Sequence, residues 1–306
     1  MSSLTKLTVS PHIHSGKSTA GIMRDVLLAL LPVTVAGIII YGVRSLTVIA
    51  VCLISCIGIE ALFCAVAKKD QTVGDLSAAV TGLLLALNLP ANIPLWQCVV
   101  GSAFAIIVVK CIFGGIGANL VNPAMTARVF MLITFSSLAT PAFPIDSIAS
   151  STPLAGDHMP TLYDLFVGAY GSSIGESCTV ALLLGGAYLL IRRVITWHIP
   201  VTFIATAYIF SFLMDGHDPY LALSLIMSGG LILGALFMAT DYTTSPATPW
   251  GKVIFGVGAG LLTCIIRYFG NYPEGVSFAI LFMNILTPYI SKLTRRRVFG
   301  VGGGEK

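Results

Sequence analysis

Two asparagines stand three residues apart in the segment Asn119-Leu-Val-Asn122-Pro123, where an apolar run begins. Because both amides can point to one side, they offer paired donors and acceptors to the edge of a neutral planar ring that bears N–H and C=O groups. The same pattern is typical of a helix start, with Asn as the N-cap and Pro in the first turn. The residues alone support ring binding and helix capping equally.

Three carboxylates lie inside or beside apolar segments: Glu60, Asp75 and Asp241. An ionisable residue at membrane depth needs a partner or water to offset its burial, so it indicates a functional site. Glu60 lies deepest in its segment. Asp241 opens the hydroxyl-rich break Asp241-Tyr-Thr-Thr-Ser-Pro-Ala-Thr248, which either lines a cavity or is a solvated turn. Glu60 and Asp241 are therefore candidates for an ion pathway.

The elements that carry these residues are predicted to be transmembrane helices. Only 10% of the residues are charged and 56% are hydrophobic, whereas an average soluble domain is roughly 25% charged. At about 20 residues per span, the apolar part of the sequence is long enough for ten helices. The sequence predicts an all-α integral membrane protein with spans at 26–43, 45–67, 72–89, 94–113, 122–139, 174–195, 199–215, 219–239, 250–270 and 276–293.

The basic residues predict the orientation of these spans. With a cytoplasmic N-terminus, fourteen Lys and Arg residues, Lys110 among them, fall on or near the cytoplasmic side, and only Arg44 and Arg267 fall opposite. This asymmetry follows the positive-inside rule. Both termini are therefore expected in the cytoplasm, and the net charge of +4 reflects topology rather than a nucleic-acid partner.

The chain is expected to divide at its longest loop, residues 140–173, which then faces outward. Similar sequence segments lie on both sides of this loop, near Thr81 and near Gly229, and they predict an inverted repeat of five plus five helices. The alternative is that the two segments merely share a composition rich in Gly and Leu. The expected parts are a cytoplasmic segment, a first half, the outer loop, a second half and a basic tail: 1–25, 26–139, 140–173, 174–293 and 294–306.

Metal and dinucleotide sites are not expected. The seven cysteines form no CxxC pair and have no neighbouring His at ligand spacing, so they are interpreted as small packing residues. The chain also lacks a Gly-rich dinucleotide motif after a strand and a cysteine set for an iron–sulfur cluster. Dinucleotide and iron–sulfur chemistry is therefore not expected on this chain.

Several segments, in order and spacing, resemble one family. They are Ser10-Pro11-His12-Ile13, Asn119-Leu-Val-Asn122-Pro123-Ala124, Asp146 to Leu154, Phe237-Met-Ala-Thr-Asp241 and Tyr272-Pro-Glu-Gly275. In these the chain resembles the D subunits of bacterial Rnf complexes, which are ion-translocating ferredoxin:NAD oxidoreductases. It is more distantly similar to the B subunits of sodium-pumping NADH:quinone reductases, which carry a longer N-terminal region.

The resemblance implies two flavins. A flavin transferase of the family attaches FMN through its phosphate to a threonine in a motif close to Asp-x-x-Ser-Gly-Ala-Thr. The matching stretch runs from Asp146 to Thr152, with Ser151 before the acceptor Thr152 and with Ala149 and Ser150 departing from the pattern. The family also binds riboflavin without a covalent bond, and the matching amides are Asn119 and Asn122.

The function implied is an electron relay in a bacterial cytoplasmic membrane. The chain would pass electrons between FMN and riboflavin and contribute to sodium or proton translocation, with no catalytic residue of its own and no activity alone. Its partners would be the other membrane subunits and subunits that carry flavins and iron–sulfur clusters. Ser291 stands where many relatives are expected to have Asp. The alternatives are a quinone-reductase subunit and a small-solute channel or transporter.

The orientation is testable by cysteine labelling. A cysteine placed at Asp157, in a background without the native cysteines, should react with a membrane-impermeant thiol reagent in intact cells, because residues 140–173 are predicted outside. A cysteine at Lys69 should react only after lysis. Labelling of the Asp157 position only after lysis would contradict the predicted topology.

Overall fold

The computed structural model describes residues 18–135, 161–168, 172–270 and 275–295, and within these ranges the chain forms helices and no β-strand. The all-α prediction is confirmed for these residues. The helices are α1 (Thr19–Tyr41), α2 (Val43–Val66), α3 (Ser77–Leu87), α4 (Leu95–Cys111), α5 (Pro123–Thr134), α6 (Leu162–Val167), α7 (Thr179–Ile191), α8 (His198–Met214), α9 (Pro219–Met227), α10 (Leu231–Met238), α11 (Pro249–Phe269) and α12 (Val276–Leu293).

Four of these helices, α1, α2, α11 and α12, are long and apolar enough to cross a membrane. The pair α9 and α10 is bent by 67° at a short break and together forms a fifth candidate, and five shorter apolar helices accompany them. Exposed apolar side chains such as Ile39, Ile54 and Val66 face outward, as lipid-facing residues do. The chain is a multi-pass membrane protein, while the count of ten and the five-plus-five repeat stay predictions.

The first helix begins at Thr19 rather than at the predicted residue 26. Ser18 is its N-cap, with the hydroxyl accepting from the Gly21 N–H at 3.1 Å. The helix therefore includes Asp25, a charged residue. Arg192 and Tyr188 each donate to the Asp25 carboxylate at 3.3 Å, so its charge has partners there. Both partners come from the end of α7, which hydropathy along the chain does not reveal.

Two helices end within the protein, and other segments satisfy their carbonyls. The Gly175 N–H donates to the carbonyl of Leu87, the last residue of α3, at 2.7 Å. The Ile174 N–H donates to the carbonyl of Leu89, just beyond α3, at 3.1 Å. Arg267 donates to Leu225 O and Ser228 O at the end of α9. Carbonyls at a helix end have no intrahelical partner, so these contacts make the interruptions tolerable in lipid.

The bundle is held by close helix contacts. Gly185 of α7 lies so near α1 that a Cβ there would overlap the carbonyl oxygen of Ala29. Small residues at helix interfaces permit such approach in membranes. Elsewhere α2 packs on α3 and α4, α8 packs on α9 and α11, and α5 packs on α12. The starts of α1, α3 and α5 and the ends of α4, α7 and α10 converge on one cleft.

Candidate functional site

The cleft brings together several residues that are far apart in sequence. Its space, with the solvent of its open mouth included, is about 750 Å³. Asn119, Asn122, Lys110 and Asp241 all line it. The apolar part of the lining comes chiefly from α1, α7 and α10: Ile22, Met23, Val26, Leu189 and Phe237. The predicted FMN segment, Asp146, Ser151 and Thr152, lies outside the described residues.

Asn122 caps α5 and lines the cleft at the same time. Its Oδ1 accepts from the Ala124 and Met125 N–H groups at 3.0 and 3.3 Å, and its Nδ2 donates to Met238 O at 3.4 Å. The capping alternative is therefore realised, with Pro123 in the first turn. One amide hydrogen of Asn122 remains for a ligand, since the side chain has two donors.

Asn119 differs from Asn122 in its hydrogen bonding. Its Oδ1 is buried and accepts no hydrogen bond from the described residues. A buried carbonyl oxygen without a donor costs about 1 to 3 kcal/mol. Because Asn119 lines the cleft, a ligand N–H or water there would satisfy it. The two amides thus meet at one cleft, but only Asn119 has an unmet acceptor.

Asp241 stands in the hydroxyl-rich break, which is both a turn and part of the cleft wall. The carboxylate accepts from the Thr243 N–H at 3.2 Å, from Thr243 Oγ1 at 2.9 Å and from Thr244 Oγ1 at 3.4 Å. Burial raises the pKa of the Asp241 carboxyl, while these three hydrogen bonds act in the opposite direction. The Asp241 carboxylate therefore lies at the cleft with hydrogen-bond donors from its own turn, and no Lys or Arg among the described residues forms a salt bridge with it.

Glu60 is paired with Lys110, one of the basic residues predicted to lie on or near the cytoplasmic side. Lys110 Nζ lies 2.6 Å from Glu60 Oε1, and the two side chains are only 2% and 1% exposed. Thr72 donates to the same oxygen at 2.7 Å. Lys110 also donates to Ser77 Oγ at 2.5 Å. Lys110 is thus buried in an ion pair rather than exposed, and the asymmetry of the basic residues across the membrane stays a prediction.

The last two turns of α4 explain how Lys110 reaches this position. Phe104–Cys111 is wound as a π-helix, a winding that is rare and concentrated at functional sites. The end of α10, Gly234–Met238, is wound in the same way. Lys110 and Phe237 therefore reach the cleft wall from two π-helical segments. Hydrophobic periodicity assumes a regular α-helix and does not detect such segments.

A second buried ion pair was missed altogether. Arg128 Nη1 of α5 donates to Glu176 Oε1 at 2.8 Å and also to Asn88 Oδ1. Ser172 donates to Glu176 Oε2 at 3.2 Å. The pair is 5% and 1% exposed. Both residues stand in predicted apolar spans, so the rule that selected Glu60 would also have selected them.

This pair connects to the cleft through Met238. Asn88 Nδ2 donates to Met238 Sδ at 3.5 Å, and Met238 O accepts from Asn122. At the other end of α1, Tyr41 forms a 2.5 Å hydrogen bond with Ser177, next to Glu176. We call this set the polar column: Tyr41, Ser177, Glu176, Arg128, Asn88 and Asn122.

A helical membrane bundle with interrupted helices, buried ion pairs and an internal polar column defines a multi-pass integral membrane protein. Comparison with known proteins gives the family. Residues 6–300 match the model of the NQR2, RnfD, RnfE family, and the chain belongs to this family. The resemblance seen in the sequence is thereby confirmed.

Three relatives cover the chain nearly end to end. The D subunit of the Na⁺-translocating ferredoxin:NAD⁺ oxidoreductase complex of Acetobacterium woodii is 46% identical, over 96% of each chain. The D subunit of the proton-translocating ferredoxin:NAD⁺ oxidoreductase complex of Clostridium ljungdahlii is 38% identical, over 96% of each chain. The D subunit of an ion-translocating oxidoreductase complex of Actinobacillus succinogenes is 34% identical, over 97% of this chain and 98% of its own.

The second ion pair yields a stability prediction. Arg128→Met leaves Glu176 buried without its guanidinium partner, and we expect a loss of about 3 to 5 kcal/mol. Adding Glu176→Gln should recover most of the loss, because no uncompensated charge remains. Thermal unfolding in detergent measures both.

The matched control is Arg192→Met, which removes the same side chain from a pair with Asp25 at 3.3 Å in which the arginine is half-exposed. Its unfolding temperature should fall less than that of Arg128→Met, because solvent screens a half-exposed pair and Tyr188 still donates to Asp25. An Arg128→Met variant as stable as this control would contradict the structural role of the pair.

Proposed function

We propose that the chain is the membrane electron-transfer subunit of an ion-translocating ferredoxin:NAD oxidoreductase complex in a bacterial cytoplasmic membrane. Riboflavin would bind in the cleft, and FMN would be joined to Thr152 in the outer loop. Family membership supports the complex and its other subunits as partners. The single observation that carries the ligand is the cleft with the unmet acceptor of Asn119 beside the capping amide of Asn122.

The lining of the cleft suits a flavin ring in its apolar surface and in its polar groups. Apolar side chains such as Leu189 and Phe237 supply surface for a planar ring, and two amides and Lys110 supply polar contacts along one part of the wall. A bound flavin supplies the chemistry of accepting and releasing electrons. The chain's own residues orient the ring, exclude water from it and hold charge near it. The cleft lies at the start of α1, which is the predicted cytoplasmic side.

Ion movement is proposed to use Glu60 and Asp241, together with the polar column. Glu60 Oε2 is buried without a described partner, and Asp241 lines the cleft. Both carboxylates can therefore hold a cation without giving up an existing ion-pair contact at that oxygen. One relative is named for sodium and another for protons, so the proposal specifies a cation and leaves both ions to be tested.

The riboflavin site is tested by separating ligand binding from helix capping. Asn119→Leu removes the unmet acceptor and leaves the α5 cap intact, so it should lower extractable riboflavin with little change in unfolding temperature. Asn122→Ser keeps a capping hydroxyl and removes the amide, and it should lower riboflavin for the same reason. Each lost contact should cost about 1 to 3 kcal/mol of binding.

Asn122→Leu, which loses both the cap and the amide, is the reference for combined damage. Riboflavin is measured by absorbance and fluorescence after acid extraction of the purified protein. Full riboflavin content in both Asn119→Leu and Asn122→Ser would contradict the site and leave Asn122 as a cap alone. No extractable flavin in the wild type would favour a small-solute channel or transporter.

The covalent flavin has a separate test. A phosphoester needs a hydroxyl, and the family pattern selects Thr152 among three consecutive hydroxyl residues. Thr152→Val, expressed with an active flavin transferase, should insert normally and show no fluorescent band on a denaturing gel. Ser151→Ala is the matched control and should keep the band. A peptide with the FMN mass on Ser150 or Ser151 would contradict the residue choice.

A further inference from the structure

We propose that Lys110 is a positioning residue shared by two sites, Glu60 and the ligand in the cleft. Its ammonium pairs with Glu60 while the ligand is neutral, and turns toward the ligand when that ligand carries negative charge. Glu60 is then left to take up a cation. The inference rests on the proposed function, because it takes riboflavin as the ligand.

The geometry places one ammonium between two sites. Lys110 lines the cleft beside Asn119 and Asn122, and its Nζ also lies 2.6 Å from Glu60 Oε1. Both partners of the pair are almost fully buried, so water screens their interaction little. A lysine has a flexible four-carbon stem and a compact charge. Rotation of that stem is therefore enough to move the positive charge between carboxylate and cleft.

The hydrogen-bond partners of Lys110 support both positions. Ser77 accepts from Lys110 and donates to Asp75, and Ser77 itself lines the cleft. An ammonium that leaves Glu60 thus keeps a polar partner on the cleft side. Glu60 keeps the hydrogen bond from Thr72. Its other oxygen, Oε2, has no described partner even in the paired state, so the carboxylate has an unused acceptor for a cation.

The charge changes balance. A bound riboflavin that accepts two electrons from the partner subunits and one proton from water gains one negative charge. Lys110 compensates that charge, and a cation at Glu60 compensates the carboxylate that Lys110 leaves. The nearby carboxylates of Asp75 and Asp241 keep their charge throughout, so they do not alter this balance. One cation is therefore taken up per ring that gains a charge, and it is released when the ring is reoxidised.

The experiment measures the riboflavin midpoint potential in purified full-length protein by titration with a chemical reductant. Glu60→Gln frees the ammonium for the cleft, so it should raise the potential. Adding Lys110→Met to Glu60→Gln removes the ammonium without leaving a buried carboxylate, and it should lower the potential below that of Glu60→Gln. We expect at least a tenfold change in the ratio of affinities for reduced and oxidised riboflavin, about 30 mV for two electrons.

Two controls fix the interpretation. Lys110→Arg keeps the positive charge and should keep the potential within half of that shift. Lys69→Met removes an exposed lysine from the same predicted face and should leave the potential unchanged. Riboflavin content is measured first. If the wild type contains no riboflavin, the proposed function itself is overturned. If riboflavin is bound but its potential is equal in Glu60→Gln and in the double variant, the role of Lys110 is overturned. If the double variant does not fold, an unchanged potential in Glu60→Gln alone overturns it.

Discussion

Inside a lipid bilayer, each backbone or charged group must find its partner within the protein, and this constraint organises the fold. The interruption after α3 exists because Ile174 and Gly175 supply the missing donors. The end of α9 exists because Arg267 supplies two more hydrogen bonds. The segment that serves α3 also carries Glu176. One short stretch of chain therefore both supplies donors to a helix end and carries a buried charge.

The two buried ion pairs solve the same problem in different surroundings. Arg128 and Glu176 are enclosed by Asn88 and Ser172 and have their partners within the bundle. Lys110 lines the cleft, and its partner Glu60 is buried with one carboxylate oxygen that has no described partner. A buried pair adds little net stability because desolvation opposes the attraction of the charges. The enclosed pair suits a structural junction, and the pair at the cleft suits a charge that changes partner.

Much of this could be predicted from the sequence. Composition and apolar runs indicated a helical membrane protein, and the motif order indicated its family. Residue type and spacing single out Asn119 and Asn122 but leave ring binding and helix capping equal, and the family resemblance assigns them to riboflavin. The pairing of Lys110 with Glu60 was not foreseen because the partners lie 50 residues apart, and hydropathy gives a residue's depth but not its neighbour. The same limit hid Arg128 and Glu176, which are 48 residues apart. The π-helical end of α4 escaped because the period assumed for a helix does not describe it.

The contact between α1 and α7 has a consequence for biogenesis. The two helices meet at the carbonyl of Ala29 and at Gly185, but α7 leaves the ribosome only after about 140 further residues, a delay of roughly 7 to 28 seconds at ordinary translation rates. Until then α1 has no permanent neighbour on that face. Its buried face is mostly apolar, with Ala29, Leu30 and Val33, so lipid or the insertion machinery can cover it at little cost. The first helix can therefore wait in the membrane with this face covered by lipid, while helices of the first half pack on one another, until α7 arrives.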